Sequence, residues 1–419
     1  MINPCLTGKN LALTCFLMLV WVFARAQNLP GLPTGNQTPE EIAPTRKPLE
    51  NLRQQQMQKT IRQNQQQFQQ QVIEQNTRRA MAEAESESLR AEERRRQQAA
   101  APFLKAGTQL LAMAEGKSHP QVKKAAFLVE NAFHHNQLSY QTYCAQIAGR
   151  VAAMKRYAAW KKMDWKSYKT RALLLVRFFS DTIRMPGGIM HHPPVYDFED
   201  PYGEKDYRQF FVTKLLRTNK GQCHSLPLLY KILADEIGVK AYLSLSPSHT
   251  FIQFLDENRR LVWFETTNGH IVSDRWMAGS GFVKRQALES RIYLDTLGNK
   301  ATVLYCLQDL AEAYIYRFGY DQTALDLINN GLAHNPKDIR ALALKANFVT
   351  CDVNRQLKEI GQPPVGELDS YPAVKKNFEY MRRLYEYIDA LGYAEMPRDD
   401  YQKWLNGINR EAAGKAVPK

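Results

Sequence analysis

Cysteine is scarce, with six in 419 residues, and two of these, Cys5 and Cys15, fall in an apolar N-terminal stretch. So few thiols exclude a small scaffold held together by disulfides. There is no phosphate-binding Gly-rich loop and no dinucleotide Gly pattern, which leaves no sequence basis for a nucleotide enzyme. Beyond the N-terminus no apolar run approaches the ~20 residues needed to span a bilayer. Basic patches interleaved with aromatics, the kind that stack bases, are also missing, so no nucleic-acid partner is expected. The paired histidines His134-His135 and His191-His192 diverge on a helix or strand and have no Cys or acid at ligand spacing. Neither a metal nor any other cofactor is expected.

What is present begins with an export leader. Lys9 supplies a positive start, Leu11 to Phe23 an apolar run, and Ala24-Arg25-Ala26 a small-x-small cleavage site before Gln27. Residues 1–26 read as a signal peptide, with an uncleaved anchor as the alternative. The expected location is periplasmic or secreted. The formal charge of +14 becomes +12 without the leader, which holds Lys9 and Arg25 and no acid. A basic surface suits contact with envelope polymers or membrane headgroups. Cys144, Cys306 and Cys351 sit among apolar neighbours in helical patterns and read as buried thiols; Cys223 does not.

Composition then divides the chain. Residues 27–50, rich in Pro, Thr, Gly and Asn, read as a disordered lead. Residues 51–101 are rich in Gln, Arg and Glu, with Met57, Ile61, Phe68 and Val72 as one thin apolar seam. They read as a solvated helical spacer, a coiled-coil stem being the alternative. From 102 to 300 a set of core-forming helices leads into a mixed segment, expected to be an α+β domain. The loop Met185–Pro201, with its Pro-Gly-Gly and His-His-Pro-Pro runs, borders that segment as a candidate substrate rim. From 301 to 410 the pattern is helical again. Ala324, Ile328, Gly331 and Pro336 resemble the spacing of a tetratricopeptide repeat, and 338–350 the first helix of another.

The most informative segment runs from Gly221 to Asp274. Gly221-Gln222-Cys223 opens a helix with Leu226, Leu229, Ile232, Leu233 and Ile237 on helical spacing, stopping at Gly238. Three short strand patterns follow, 239–245, 250–255 and 261–267, separated by Ser246-Pro247-Ser248 and Asp256-Glu257-Asn258. A thiol at a helix start meets free N–H groups and a positive dipole end, which favour thiolate. His249 opens one strand and Glu265 closes the next, placing a base and an orienting acid within reach. Asn268 is the alternative orienting group, and Gln222 or Asn219, with the Cys223 amide, the candidate oxyanion donors. His224 is nearer to Cys223 in sequence, but helix neighbours point about 100° apart, so His249 is the expected base.

Gly-Gln-Cys before a Leu/Tyr-rich helix ending Ile-Gly-Val-Lys-Ala, then Ser-His-Thr-Phe, then Trp-Phe-Glu-Thr-Thr, resembles the core of the transglutaminase-like superfamily, whose fold is that of papain-type thiol enzymes. The resemblance covers roughly residues 190–275 and implies nucleophile, base and orienting acid at Cys223, His249 and Glu265. Glu265 stands where that family usually carries Asp. The expected protein is an exported thiol-dependent amide hydrolase or acyl transferase acting on peptide or protein substrates. The alternative is a non-catalytic cell-envelope scaffold that binds a protein partner with the same fold and its repeat-like tail.

Overall fold

The computed structural model describes residues 43–275, 279 and 282–415. The expected signal peptide, residues 1–26, and most of the expected disordered lead lie outside them. The chain divides into two units, one comprising residues 8–98 and the other the compact body from Ala99 onward. The first helix, Ala43–Ala114, begins inside the stretch expected to be a disordered lead, with Pro44 in its first turn, where a missing N–H costs nothing. Between residues 50 and 98 its large apolar side chains, Met57, Ile61, Phe68 and Val72 among them, are exposed. Among the described residues no helix is long and apolar enough to cross a membrane.

The compact body mixes helices with small sheets. A central helix, Ser225–Ile237, buries every residue except Asp235 and Glu236. Gly238 ends it in a left-handed conformation (φ 71°) that costs glycine nothing. Around it pack the helices Tyr140–Trp160, Tyr168–Ser180 and Val212–Thr218, and their shared apolar cluster includes Leu226, Leu229, Tyr230 and Leu233.

Four short strands precede that helix. β1 (Ile183–Arg184) pairs antiparallel with β2 (Met190–His191), and β3 (Val195–Tyr196) runs parallel to β4 (Lys220–Gly221). After the helix comes an antiparallel sheet in sequential order, β5 (Ala241–Ser246), β6 (His249–Leu255), β7 (Leu261–Glu265) and β8 (His270–Val272). Pro247-Ser248 makes the β5–β6 turn, with Ser248 at φ 58°. The fourth strand was not foreseen: it follows Gly269, whose positive φ (73°) returns the chain beside β7. A Cβ at Gly269 would also meet the Ser180 backbone at 2.9 Å.

The helices Asn299–Phe318, Gln322–His334, Ile339–Glu359 and Pro372–Ala390 pack successively. Ala324 and Ile328 are fully buried, and Gly331 lets its helix approach the Gln308 side chain so closely that a Cβ there would overlap it. The first three of these helices share one apolar cluster with Ala100–Ala114 and with the helix Val122–Phe133. Glu130, buried on the latter, accepts the Val212 and Thr213 amides at 2.7 and 2.8 Å and so caps the helix that leads toward Cys223.

Candidate active site

Cys223 lies just before the first turn of the central helix, half-buried in the lining of a cleft of about 740 Å³. None of Cys144, Cys223, Cys306 and Cys351 is in a disulfide. The sheet register delivers the next two groups. Ile252 pairs with Phe264, so continuing the ladder sets Phe251 opposite Glu265, with His249 two residues along on the same face. Such diagonal neighbours lie within reach of long side chains.

His249 Nε2 and Glu265 Oε2 are 2.6 Å apart, with His249 8% and Glu265 1% exposed. The second carboxylate oxygen accepts the Thr267 amide at 2.9 Å and its hydroxyl at 2.8 Å. The glutamate's extra methylene is thus accommodated by anchoring from the threonine two residues on.

Burial drags the His249 imidazole toward neutrality, but Glu265 and the adjacent Cys223 outweigh it and raise its pKa to about 10. For Glu265 burial works against ionisation, yet His249 and the two Thr267 bonds hold its pKa below the usual value. The pair is therefore imidazolium and carboxylate. With Nε2 engaged by Glu265, the remaining ring nitrogen, Nδ1, is buried and has no hydrogen-bond partner among the described residues. It is the atom left for a proton exchange with Cys223.

The other candidates take different places. His224 is engaged at both nitrogens, Nδ1 2.5 Å from the Tyr305 hydroxyl and Nε2 3.2 Å from Asp309. Arg340 binds Asp309 and Glu312 at 2.6 and 2.8 Å and stacks over Tyr305, so two of the residues that engage His224 are themselves held by a later helix. Asn268 accepts the His270 amide at 3.1 Å, while Glu265 occupies the imidazole. The two expected side-chain oxyanion donors are spent on backbone. Gln222 Nε2 donates to the Asp197 carbonyl at 2.8 Å, and Asn219 Nδ2 to those of His192 and Pro193 at 3.1 and 3.0 Å. Of the expected rim Met185–Pro201, Pro201 alone lines the cleft; Tyr202 and Glu204, just past that loop, line it as well.

Among the histidine pairs, His191 Nε2 meets the Phe178 carbonyl and His135 Nε2 meets Arg317. Among the described residues no group of three or more His, Cys, Asp or Glu is placed to hold a metal ion.

Sequence reasoning missed what covers the sulfur. The C-terminal helix Arg398–Lys415 brings Tyr401, whose hydroxyl is 3.8 Å from Cys223 Sγ, and Trp404, whose ring meets His249 edge-on at 4.8 Å. The Tyr401 hydroxyl is also 3.0 Å from that of Tyr196 on β3. Nothing near Cys223 in sequence signals a contact 178 residues away. No protein-family model, curated protein or solved structure matches this chain.

Proposed function

We propose that the chain is a thiol enzyme of the transglutaminase-like, papain-type class, acting on an amide of a peptide or protein by hydrolysis or by transfer to an amine. The observation that carries this reading is the buried His249–Glu265 ion pair, set beside a half-buried cysteine at a helix start. Cys223 attacks the carbonyl carbon, the C–N bond breaks, and His249 delivers its proton to the departing amine. The acyl group then rests on sulfur as a thioester until water or a second amine attacks, with His249 taking the proton back. Glu265 holds the imidazolium and fixes Nδ1 as the working nitrogen. The successive helices from residue 299 supply a tetratricopeptide-like wall to the cleft, where Tyr293, Arg340, Tyr385 and Tyr393 offer surfaces for an extended peptide.

Alkylation of the thiols by iodoacetamide at neutral pH, followed by peptide mapping, tests the couple. Cys223 is expected to react faster than Cys144 in the same molecule, and to lose that advantage in His249→Ala. Equal rates at the two cysteines would sink the proposal. They would favour the second reading, a non-catalytic envelope scaffold whose Tyr-lined cleft binds a protein partner; the observation behind that reading is the cover of Tyr401 and Trp404 over the sulfur.

A further inference from the structure

A tetrahedral intermediate on Cys223 needs donors for the oxygen that becomes negative. A missing donor of this kind costs on the order of 100-fold or more in rate. The Cys223 amide makes no hydrogen bond among the described residues and supplies one such donor. The side-chain amides of Gln222 and Asn219 do not, being held by the carbonyls of residues 192, 193 and 197. Among the described residues, the side-chain hydroxyl in contact with the sulfur comes from the C-terminal helix.

We propose that the Tyr401 hydroxyl is the second oxyanion donor, which makes Tyr401 a catalytic residue and Tyr196 the residue that positions it. At 3.8 Å from Sγ, the hydroxyl is near enough to reach an oxygen one bond beyond the newly formed S–C bond. With the thiolate, which can only accept, that hydrogen bond goes to the sulfur. In the intermediate it moves to the oxyanion, so the donor strengthens its interaction as charge leaves sulfur for oxygen.

Either hydroxyl can donate across the 3.0 Å contact between Tyr196 and Tyr401; the donor role requires Tyr196 to give its proton there, which leaves the Tyr401 proton directed at the reacting atoms and polarised by its neighbour. Burial, the adjacent Cys223 and Tyr196 hold the Tyr401 phenol well above its ordinary pKa, so it stays a donor wherever the thiolate is present. The ring is fixed by Tyr202 and Trp404 at centroid distances of 5.3 and 5.4 Å. The helix start is held by Arg398 on Glu204 and by the Met396 amide on Ser248.

This inference rests on the thiol-enzyme reading, and its test separates the two. p-Nitrophenyl acetate acylates a reactive thiolate in a step that balances simply. The Sγ–C bond forms as the carbonyl electron pair moves to oxygen; the pair then returns, the C–O bond breaks and p-nitrophenolate leaves. Alkylation by iodoacetamide displaces iodide and forms no oxyanion. In the full chain, Tyr401→Phe keeps the ring packing and removes only the hydroxyl.

The expected result is an acylation burst slowed at least about tenfold, with Cys223 alkylation as fast as wild type or faster. Tyr196→Phe is expected to slow acylation by a smaller factor, again sparing alkylation. A smaller change than that in Tyr401→Phe, or a rise, would overturn the assignment and make the hydroxyl a cap that restrains the thiol. A parallel fall in both reactions would overturn it as well. A wild-type Cys223 that alkylates readily but is never acylated refutes the donor role while sparing the Cys–His couple. One no more reactive than Cys144 removes both.

Discussion

Replacing Glu265 with glutamine keeps shape and removes charge, isolating what the carboxylate does for His249. The imidazole's pKa is raised from an ordinary 6.5 to about 10 in the folded chain. At roughly 1.36 kcal/mol per unit, that difference caps the linked stabilisation at about 5 kcal/mol. Part of it belongs to Cys223, and breaking a buried pair typically costs about 3–5 kcal/mol, so a loss of about 3 kcal/mol is expected for Glu265→Gln at neutral pH. The proton is bound more tightly in the folded state, so this stabilisation is complete below 6.5 and fades as pH rises toward about 10. In Glu265→Gln the buried ring is neutral across that window and the linked slope vanishes. Urea midpoints measured across the window, taken as wild type minus variant to cancel every other titrating group, should converge at alkaline pH. NMR of the His249 ring should show imidazolium at neutral pH in the wild type alone. A variant that keeps the imidazolium, or loses less than about 1 kcal/mol at neutral pH, would refute the ion-pair argument.

Glu130 tests the capping of the helix that leads to the cysteine: Glu130→Gln turns a donor toward one of the Val212 and Thr213 amides and should cost about 1.5–3 kcal/mol in urea unfolding. Burial raises the Glu130 carboxyl from 4.5 to about 7 against the pull of those amides, so the folded chain binds its proton more tightly. Wild-type stability should therefore fall between those values as pH rises, and the glutamine variant should lack that contribution. Asn219 sits at φ 57°, so Asn219→Ala should be less stable than Asn219→Gly by about 1 kcal/mol in thermal unfolding. Neither change should alter Cys223 alkylation, because the Asn219 amide holds the 192–193 backbone rather than the sulfur. Gln308 is fully buried with neither amide atom bonded among the described residues. Gln308→Met should raise the unfolding midpoint by a margin corresponding to about 1 kcal/mol; a fall would point to a partner for that amide.

The local features around Cys223 were legible because each is set by a few adjacent residues. The helix Ser225–Ile237 follows from Leu and Ile at helical spacing and a terminal glycine, and the strands β5 to β7 follow from aromatic runs broken by Ser-Pro-Ser and Asp-Glu-Asn. Once those strands pair as a hairpin, the alternation of faces brings His249 to Glu265. The donor assignments to Gln222 and Asn219 failed because chain proximity to Cys223 says nothing about which carbonyls compete for a side-chain amide. Those carbonyls lie 25 to 27 residues away. Tyr401 and Trp404 were invisible for the same reason over a longer span, since a tyrosine on an amphipathic helix reads as packing. The start of the first helix at Ala43 was missed because a Pro-rich composition reads as disorder, although proline is well tolerated in a first helical turn.

The segment between the helices Pro372–Ala390 and Arg398–Lys415 is short and keeps Glu395 and Pro397 exposed. A protease that cuts there leaves Cys223, His249 and Glu265 on one fragment and Tyr401 on the other. Where the smaller fragment dissociates, a thiol count would report a full complement of reactive sites while ester turnover reported few. A purified sample can therefore look intact by one criterion and spent by the other, and the ratio of the two readings measures how much of it has been clipped.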